Sequence, residues 1–245
     1  MKRRKYLEWA TIIAIILLSS SLFAYEVDVI STPHGDLKIT FIGHASVCME
    51  WGGKVIHIDP VGRYGDYSQL PKADLILITH EHYDHFDPRT IEVIRKKGTI
   101  ILTNTACARY LNGAHAMKNG DERTFFEIKI TALPAYNIVH LQPSGVPYHP
   151  KGEGNGYLVN FKGTRVYIGG DTENIPEMKA LRGVDIAFLP MNLPYTMTPE
   201  MVADAARAFR PRILYPYHLG DTDVSRLIKL LKDEKGIDVR IRKMK

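Results

Sequence analysis

Residues 77–88 read LITHEHYDHFDP, which places His80, His82, Asp84 and His85 within six positions directly behind an apolar run. Imidazole and carboxylate together suit zinc, iron or manganese. The competing reading is a solvated loop rich in histidine. His80 and His82 alternate and can project the same way, while the turn after them carries Asp84 and His85 to a neighbouring position. A catalytic metal also needs ligands from elsewhere in the chain. Two later apolar runs end on suitable residues: VYIGGDT on Asp171, and ILYPYHLGD on His218. Singly, Asp171 reads equally well as a helix N-cap and His218 as a satisfied core histidine. Their occurrence in this order after HxHxDH favours one shared centre.

The elements that must position these residues are legible from periodicity. Short strands are expected at 37–43, 46–51 and 54–60, with Gly52-Gly53 as a hairpin turn. Residues 74–79, DLILIT, form a continuous apolar run, as expected of a strand buried on both faces. Pro88 then opens a helix that Gly98 should end. A strand at 99–103 and a short helix, TACARYL, follow. A second series repeats the plan: strands at 127–133, 156–161, 165–170, 185–190 and 212–217, with helices at TPEMVADAARAF and DVSRLIKLLKDE and a last strand DVRIR. Hairpins followed by strand–helix units thus occur twice, which predicts two sheets face to face with helices outside, one layered α/β domain. The long connection 134–155 holds Pro, Gly, Tyr and His, and loops of that length tend to be functional.

Composition narrows the function classes. The 245 residues carry a formal charge of +5, but four of the 32 basic residues stand in Lys2-Arg3-Arg4-Lys5, beside one of the 27 acids, Glu8, leaving 28 against 26. No basic footprint for nucleic acid is expected on the folded part. The basic cluster precedes the uncharged run 9–25, the layout of a secretory signal, and also the shortest length for a spanning anchor. Ala24 suits a cleavage site, whereas Leu22 fits it poorly. Either way residues 1–25 direct export, and membrane contact is expected only through that segment if it is retained. Cys48 and Cys107 read as small buried residues rather than a disulfide scaffold.

HxHxDH, the GDT strand end and the late histidine resemble the metallo-β-lactamase fold superfamily over roughly residues 37–220. FIGHASVCMEW…IHIDP and LPMNLPYTMTPEMVADAARAFRPRILYPYH resemble the branch of ascorbate-6-phosphate lactonase-like proteins and, more distantly, N-acylphosphatidylethanolamine-hydrolysing phospholipase D. The resemblance implies a four-layer αββα sandwich over residues 26–245 and two divalent metal ions, zinc in first place, with manganese or iron as alternatives. His80 and His82 would bind the first metal, Asp84 and His85 the second, Asp171 would bridge them and His218 would complete the second. Asp59 would brace the metal loop rather than bind. His44 would either touch substrate or fix its own loop. The family supplies one more histidine to the first metal, where this chain has Asn137. His149 is the preferred replacement, with His140, Asn137 itself or a water behind it. His34, His57 and His115 lie outside the pattern.

The resemblance further implies a hydrolase whose metal-bridging hydroxide, oriented by Asp84, attacks an ester, lactone, amide or phosphodiester of a small molecule. Tyr136, Asn192 and Tyr195 are the candidates for lining the pocket. Two alternatives stay open. One is a nuclease of the same fold, disfavoured by the near-neutral charge. The other is a non-catalytic metal-binding protein, which the missing histidine at 137 keeps alive.

Overall fold

The computed structural model describes residues 25–244; the leader expected at 1–25 lies, but for Tyr25, outside them. Two seven-stranded sheets carry the fold. The first runs in chain order through β1 (Glu26–Ile30), β2 (Leu37–Gly43), β3 (Ser46–Trp51), β4 (Lys54–Ile58), β5 (Leu75–Leu77), β6 (Ile100–Thr103) and β7 (His115–Ala116). The second holds β8 (Glu122–Phe125), β9 (Ile128–Ala135), β10 (Gly154–Phe161), β11 (Thr164–Ile168), β12 (Ile186–Pro190), β13 (Ile213–Tyr217) and β14 (Asp238–Val239). In each sheet the first four strands pair antiparallel and the last three join in parallel. The doubled plan read from the sequence is therefore the architecture, and its reason is connection length: two-residue turns permit hairpins, whereas parallel neighbours need a crossover.

Strand alternation sorts the layers. In β5 and the residue beyond it, Leu75 and Leu77 face the inter-sheet core while Ile76 and Ile78 face α1 (Pro88–Ile94), so the whole run is buried. Between the sheets, Phe41 meets Tyr215 and Phe188 at 4.9 and 6.2 Å, and Trp51 meets Phe161 at 5.6 Å. The short α2 (Thr105–Ala108) and α3 (Pro176–Lys179) are followed by α4 (Pro199–Phe209), whose Phe209 packs on Tyr167 at 6.1 Å, and α5 (Val224–Leu231). Helices thus cover both outer faces, giving the αββα sandwich. Asp87 and Thr198 cap α1 and α4, each with Pro at the first position, as their sequences dictate.

Several boundaries differ from expectation. Helix α1 ends at Ile94, with Arg95 already extended, rather than running to Gly98. The edge strands β1, β7 and β8 are not among the expected elements, although β1 (EVDVI) alternates with period 2, and β14 keeps only two residues of DVRIR. Cys48 and Cys107 are buried and unpaired. Among the described residues no helix is long and apolar enough to cross a membrane.

Candidate metal centre

Every expected ligand leaves the same end of the sheets. His80, His82, Asp84 and His85 follow β5; Asp171 follows β11 across Gly169-Gly170; His218 follows β13; Asp59 and His44 follow β4 and β2. Cross-sheet bonds lock these ends together: His218 N–H donates to the His44 carbonyl (2.9 Å), Asn155 N–H to that of Thr79 (2.9 Å), and the Tyr157 hydroxyl to that of Ile78 (2.7 Å). Asp59, His44 and His218 all adopt left-handed backbone angles (φ 43, 55 and 51°), which non-glycine residues keep only where surroundings enforce them. Gly170 does the same at φ 63° with a second constraint, since a Cβ there would stand 2.8 Å from the Asn155 carbonyl oxygen.

The side chains converge as two groups whose ligand atoms lie within 4.8 Å of one another: His80, His82, His149 and Asp171, and His44, Asp84, His85 and His218. Asp171 joins them. Its Oδ2 lies 3.3 Å from Nε2 of both His149 and His218 and 3.8 Å from that of His80, while Oδ1 is 3.2 Å from Nε2 of His85. Asp84 Oδ2 is 3.2 Å from His44 Nε2 and 3.5 Å from His218 Nε2. Nε2 of His80, His85 and His218 and Oδ1 of Asp171 are buried without a hydrogen-bond partner. Lone pairs buried without a donor are costly, and an aimed set of them is the donor set that a divalent cation satisfies. The residues fit the metals the resemblance implies.

Tautomers follow from fixed donors. The His149 backbone N–H donates to Asn137 Oδ1 at 2.8 Å, which identifies that atom as the amide oxygen; His149 Nδ1, also 2.8 Å from it, must then carry a hydrogen, leaving the Nε2 lone pair toward His82 and Asp171. Asn137 Nδ2 donates to Glu173 (3.2 Å) and to the Tyr195 carbonyl (2.9 Å). Asn137 is therefore a buried support for His149, which takes the position of the expected third histidine. On the other side His85 Nδ1 donates to Asp59 Oδ2 at 2.8 Å, and His80 Nδ1 stands 3.0 Å from a Thr79 hydroxyl that itself donates to Asp59 at 2.7 Å. One fully buried carboxylate thus aims two imidazoles, as the bracing reading of Asp59 requires.

Charge favours metal-competent forms. Burial, with His85 beside it, pushes the His80 imidazole well below its ordinary value, and burial with His149 lowers His82. Burial opposes ionisation of Asp84 and Asp171, yet the imidazoles of His218 and His44 around Asp84, and of His218 and His85 around Asp171, hold both well below the usual carboxylate range. Burial likewise disfavours charge on His85, but Asp171 and Asp59 hold it well above its ordinary value. His85 is the exception: its neighbours favour the protonated ring, and a cation bound there would take that proton's place.

The groups floor a cleft of about 470 Å³ lined also by Arg63, Tyr83, Gln142, Tyr148, Asn192 and Tyr195. Asn192 and Tyr195 line it as expected. Tyr136 does not: its hydroxyl donates to Glu177 (3.0 Å) and accepts from Lys151 (3.2 Å), which turns the side chain away from the cleft. His140 is also diverted, its Nδ1 2.7 Å from Glu173. His44 lines the cleft, hydrogen-bonds Asp84 at 3.2 Å and stacks on Tyr64 at 4.7 Å. Sequence reasoning missed Glu173. Fully buried, it accepts from three successive backbone N–H groups, Ile138, Val139 and His140, at 2.7, 2.7 and 2.8 Å, and so pins the start of the loop that ends on His149. No sequence pattern marked it, because three of its five partners are main-chain N–H groups and the other two are the side chains of Asn137 and His140, more than thirty residues earlier.

A family model described as a beta-lactamase superfamily domain matches residues 38–218. A UPF0173 metal-dependent hydrolase of Geobacillus sp. is 31% identical over 216 residues, which span 82% of this chain and 95% of that relative. A crystal structure from Parabacteroides distasonis, described as a metal-dependent hydrolase, is 49% identical and superposes with a TM-score of 0.86 over 90% of this chain and all (100%) of its own. A metallo hydrolase from the archaeon Ignicoccus hospitalis, 23% identical, shares the fold with a TM-score of 0.67 over 84% of this chain and 94% of that one. The chain belongs to the beta-lactamase superfamily and, within it, to the UPF0173 metal-dependent hydrolases.

Proposed function

We propose that this chain hydrolyses an ester, lactone, amide or phosphodiester bond of a small molecule at a centre of two divalent cations, zinc in first place. His80, His82, His149 and Asp171 would hold one, and Asp84, His85, His218 and the shared Asp171 the other. The observation that carries the reading is the set of buried, unpartnered ligand atoms converging on Asp171. Cations held there supply Lewis acidity and make a water acidic enough to act as nucleophile near neutral pH. The chain's own residues do the rest. Asp84, held by His44 at 3.2 Å on the cleft floor, is placed to accept a hydrogen bond from the attacking water and orient it. Asn192 and Tyr195 offer an amide and a phenol to a polarised substrate oxygen. Asp59 and Asn137 keep three imidazoles in the tautomer that presents Nε2. The basic cluster and apolar run of residues 2–25 support export of the folded part, which fractionation of tagged protein checks.

Metal analysis of the purified protein together with a panel of lactones, carboxyl esters, amides and phosphodiesters tests the reading. Two tightly held transition metals per chain, and turnover that His82→Ala and Asp84→Ala abolish, are expected. Less than one metal per chain, or turnover indifferent to both substitutions, would sink it.

A further inference from the structure

Among the described residues the cleft holds one permanent cation. Of its lining residues outside the metal centre, Tyr83, Gln142, Tyr148, Asn192 and Tyr195 are uncharged, and only Arg63 carries an obligatory positive charge. We propose that Arg63 is a specificity residue that binds an anionic group, carboxylate or phosphate, of the molecule whose bond is cut. This rests on the hydrolase reading for the word substrate, and on the cleft alone for the binding.

The backbone that carries Arg63 is fixed. The turn Gly62–Tyr64 follows Asp59 and is pinned by Val61 N–H donating to the Tyr67 hydroxyl (3.1 Å), Gly62 N–H to Asp87 (3.2 Å) and Tyr64 N–H to the Val61 carbonyl (3.1 Å). It also closes so tightly that a Cβ on Gly62 would come within 2.6 Å of the Thr90 hydroxyl. The guanidinium then rests over two rings, Tyr64 and Tyr83, each 4.6 Å from its central carbon, and one of its N–H groups donates to the Tyr64 hydroxyl. No Asp or Glu oxygen among the described residues lies within 4.0 Å of it. Arg240 and Arg242, by contrast, are both paired with Asp28.

That arrangement has a chemical meaning. The rings occupy the faces of the guanidinium and the Tyr64 hydroxyl takes one N–H, which leaves its other edge N–H groups for planar, two-point binding of carboxylate or phosphate. A guanidinium already held against two rings loses little freedom on binding, so more of the interaction survives as affinity. Tyr83 is the neighbour of Asp84, and Tyr64 stacks on the His44 that hydrogen-bonds Asp84. The cation is thereby tied to the side of the cleft where Asp84 stands, and an anion on Arg63 would lie on that side too.

The test is calorimetric titration of the metal-loaded protein with phenyl phosphate and with benzoate, for wild type, Arg63→Gln and Arg63→Lys. Wild type should bind at least one of them. Arg63→Gln should weaken the better-bound anion about 10- to 100-fold, the size of a lost hydrogen-bonded charge, and Arg63→Lys should lose less because the charge stays. Which anion suffers more tells phosphate from carboxylate, and either supports the proposal. Wild-type affinity for both anions in Arg63→Gln, or no binding of either by wild type, overturns it. A protein that holds metal but cleaves nothing defeats the hydrolase reading and leaves this titration standing. Where turnover is found, the preference for a carboxylate-bearing ester over its neutral amide counterpart should fall by the same factor in Arg63→Gln.

Discussion

Replacing Asn137 separates two roles for the residue that stands where the family has a histidine. As a support, it satisfies two hydrogens of His149 with one oxygen, both at 2.8 Å, and gives its own two to Glu173 and the Tyr195 carbonyl. Asn137→Ala leaves the His149 backbone N–H and Nδ1–H without an acceptor in a buried site. At about 1–3 kcal/mol for each unsatisfied group, partly relieved by water entering the space, the metal-free protein should lose about 2–4 kcal/mol of stability. Freed of its acceptor, the His149 ring can also turn or change tautomer. Loss of such an outer partner typically weakens a metal about 10- to 100-fold. The assay is competition with a chromogenic chelator, counted against total metal, alongside denaturant unfolding of the metal-free forms. One equivalent should weaken by that factor while the other stays tight, because His149 reaches only the group of His80, His82 and Asp171. Asn137→His makes the opposing case. Were position 137 itself a ligand, an imidazole would bind more tightly; as a support, it crowds His149 and removes its acceptor. Tighter metal in Asn137→His, or unchanged metal in Asn137→Ala, would refute the support role.

Three further outcomes follow from the same geometry. Asp59→Asn should cost about 2–4 kcal/mol and weaken both metals, since one buried carboxylate serves His85 directly and His80 through Thr79; metal competition that shows only one site affected would contradict this. Gly170→Ala should cost about 2–4 kcal/mol in thermal or denaturant unfolding, from a left-handed φ of 63° and a Cβ 2.8 Å from a carbonyl oxygen. His57, fully buried in β4 with Nε2 donating to the Pro71 carbonyl (2.9 Å), is pushed down by burial from 6.5 to about 4. The unfolded chain then takes up a proton below pH 6.5 that the folded one refuses until about 4, so this contribution is intact above 6.5 and is lost as pH falls between the two values. It amounts to about 3 kcal/mol, and His57→Gln, whose amide can still reach Pro71, should remove that acid sensitivity in unfolding measured at successive pH values.

What was legible in the sequence divides along a physical line. Apolar alternation and hairpin glycines carry the inner strands because burial and turn geometry impose them locally, and they pointed to two sheets face to face, though not to the strand order within each. Edge strands such as β1 and β8 pair along one side only and stand half in solvent: Glu122–Phe125 carries no apolar alternation, and in the alternating Glu26–Ile30 the valines are the exposed residues. The candidate ligands that converge on Asp171 were legible for a related reason: a cation demands imidazole and carboxylate whatever the surroundings. Of their supports Asp59 was legible, through the family resemblance, but Glu173 was not, because a buried carboxylate can be satisfied largely by main-chain N–H groups that every residue possesses. Asn137 shows the consequence. Read as a residue type it is a defect in the first metal group. Read with its partners, an amide oxygen there gives His149 both its acceptor and its tautomer, so the imidazole arrives from twelve residues further along the loop. Glu173 fixes the first three residues of the loop 138–149 that makes that exchange. A substitution at Glu173 should therefore be felt at His149, a coupling that hydrogen exchange at residues 138–140 measured beside metal affinity would expose: slow exchange with weakened metal would show the loop held and the coupling absent.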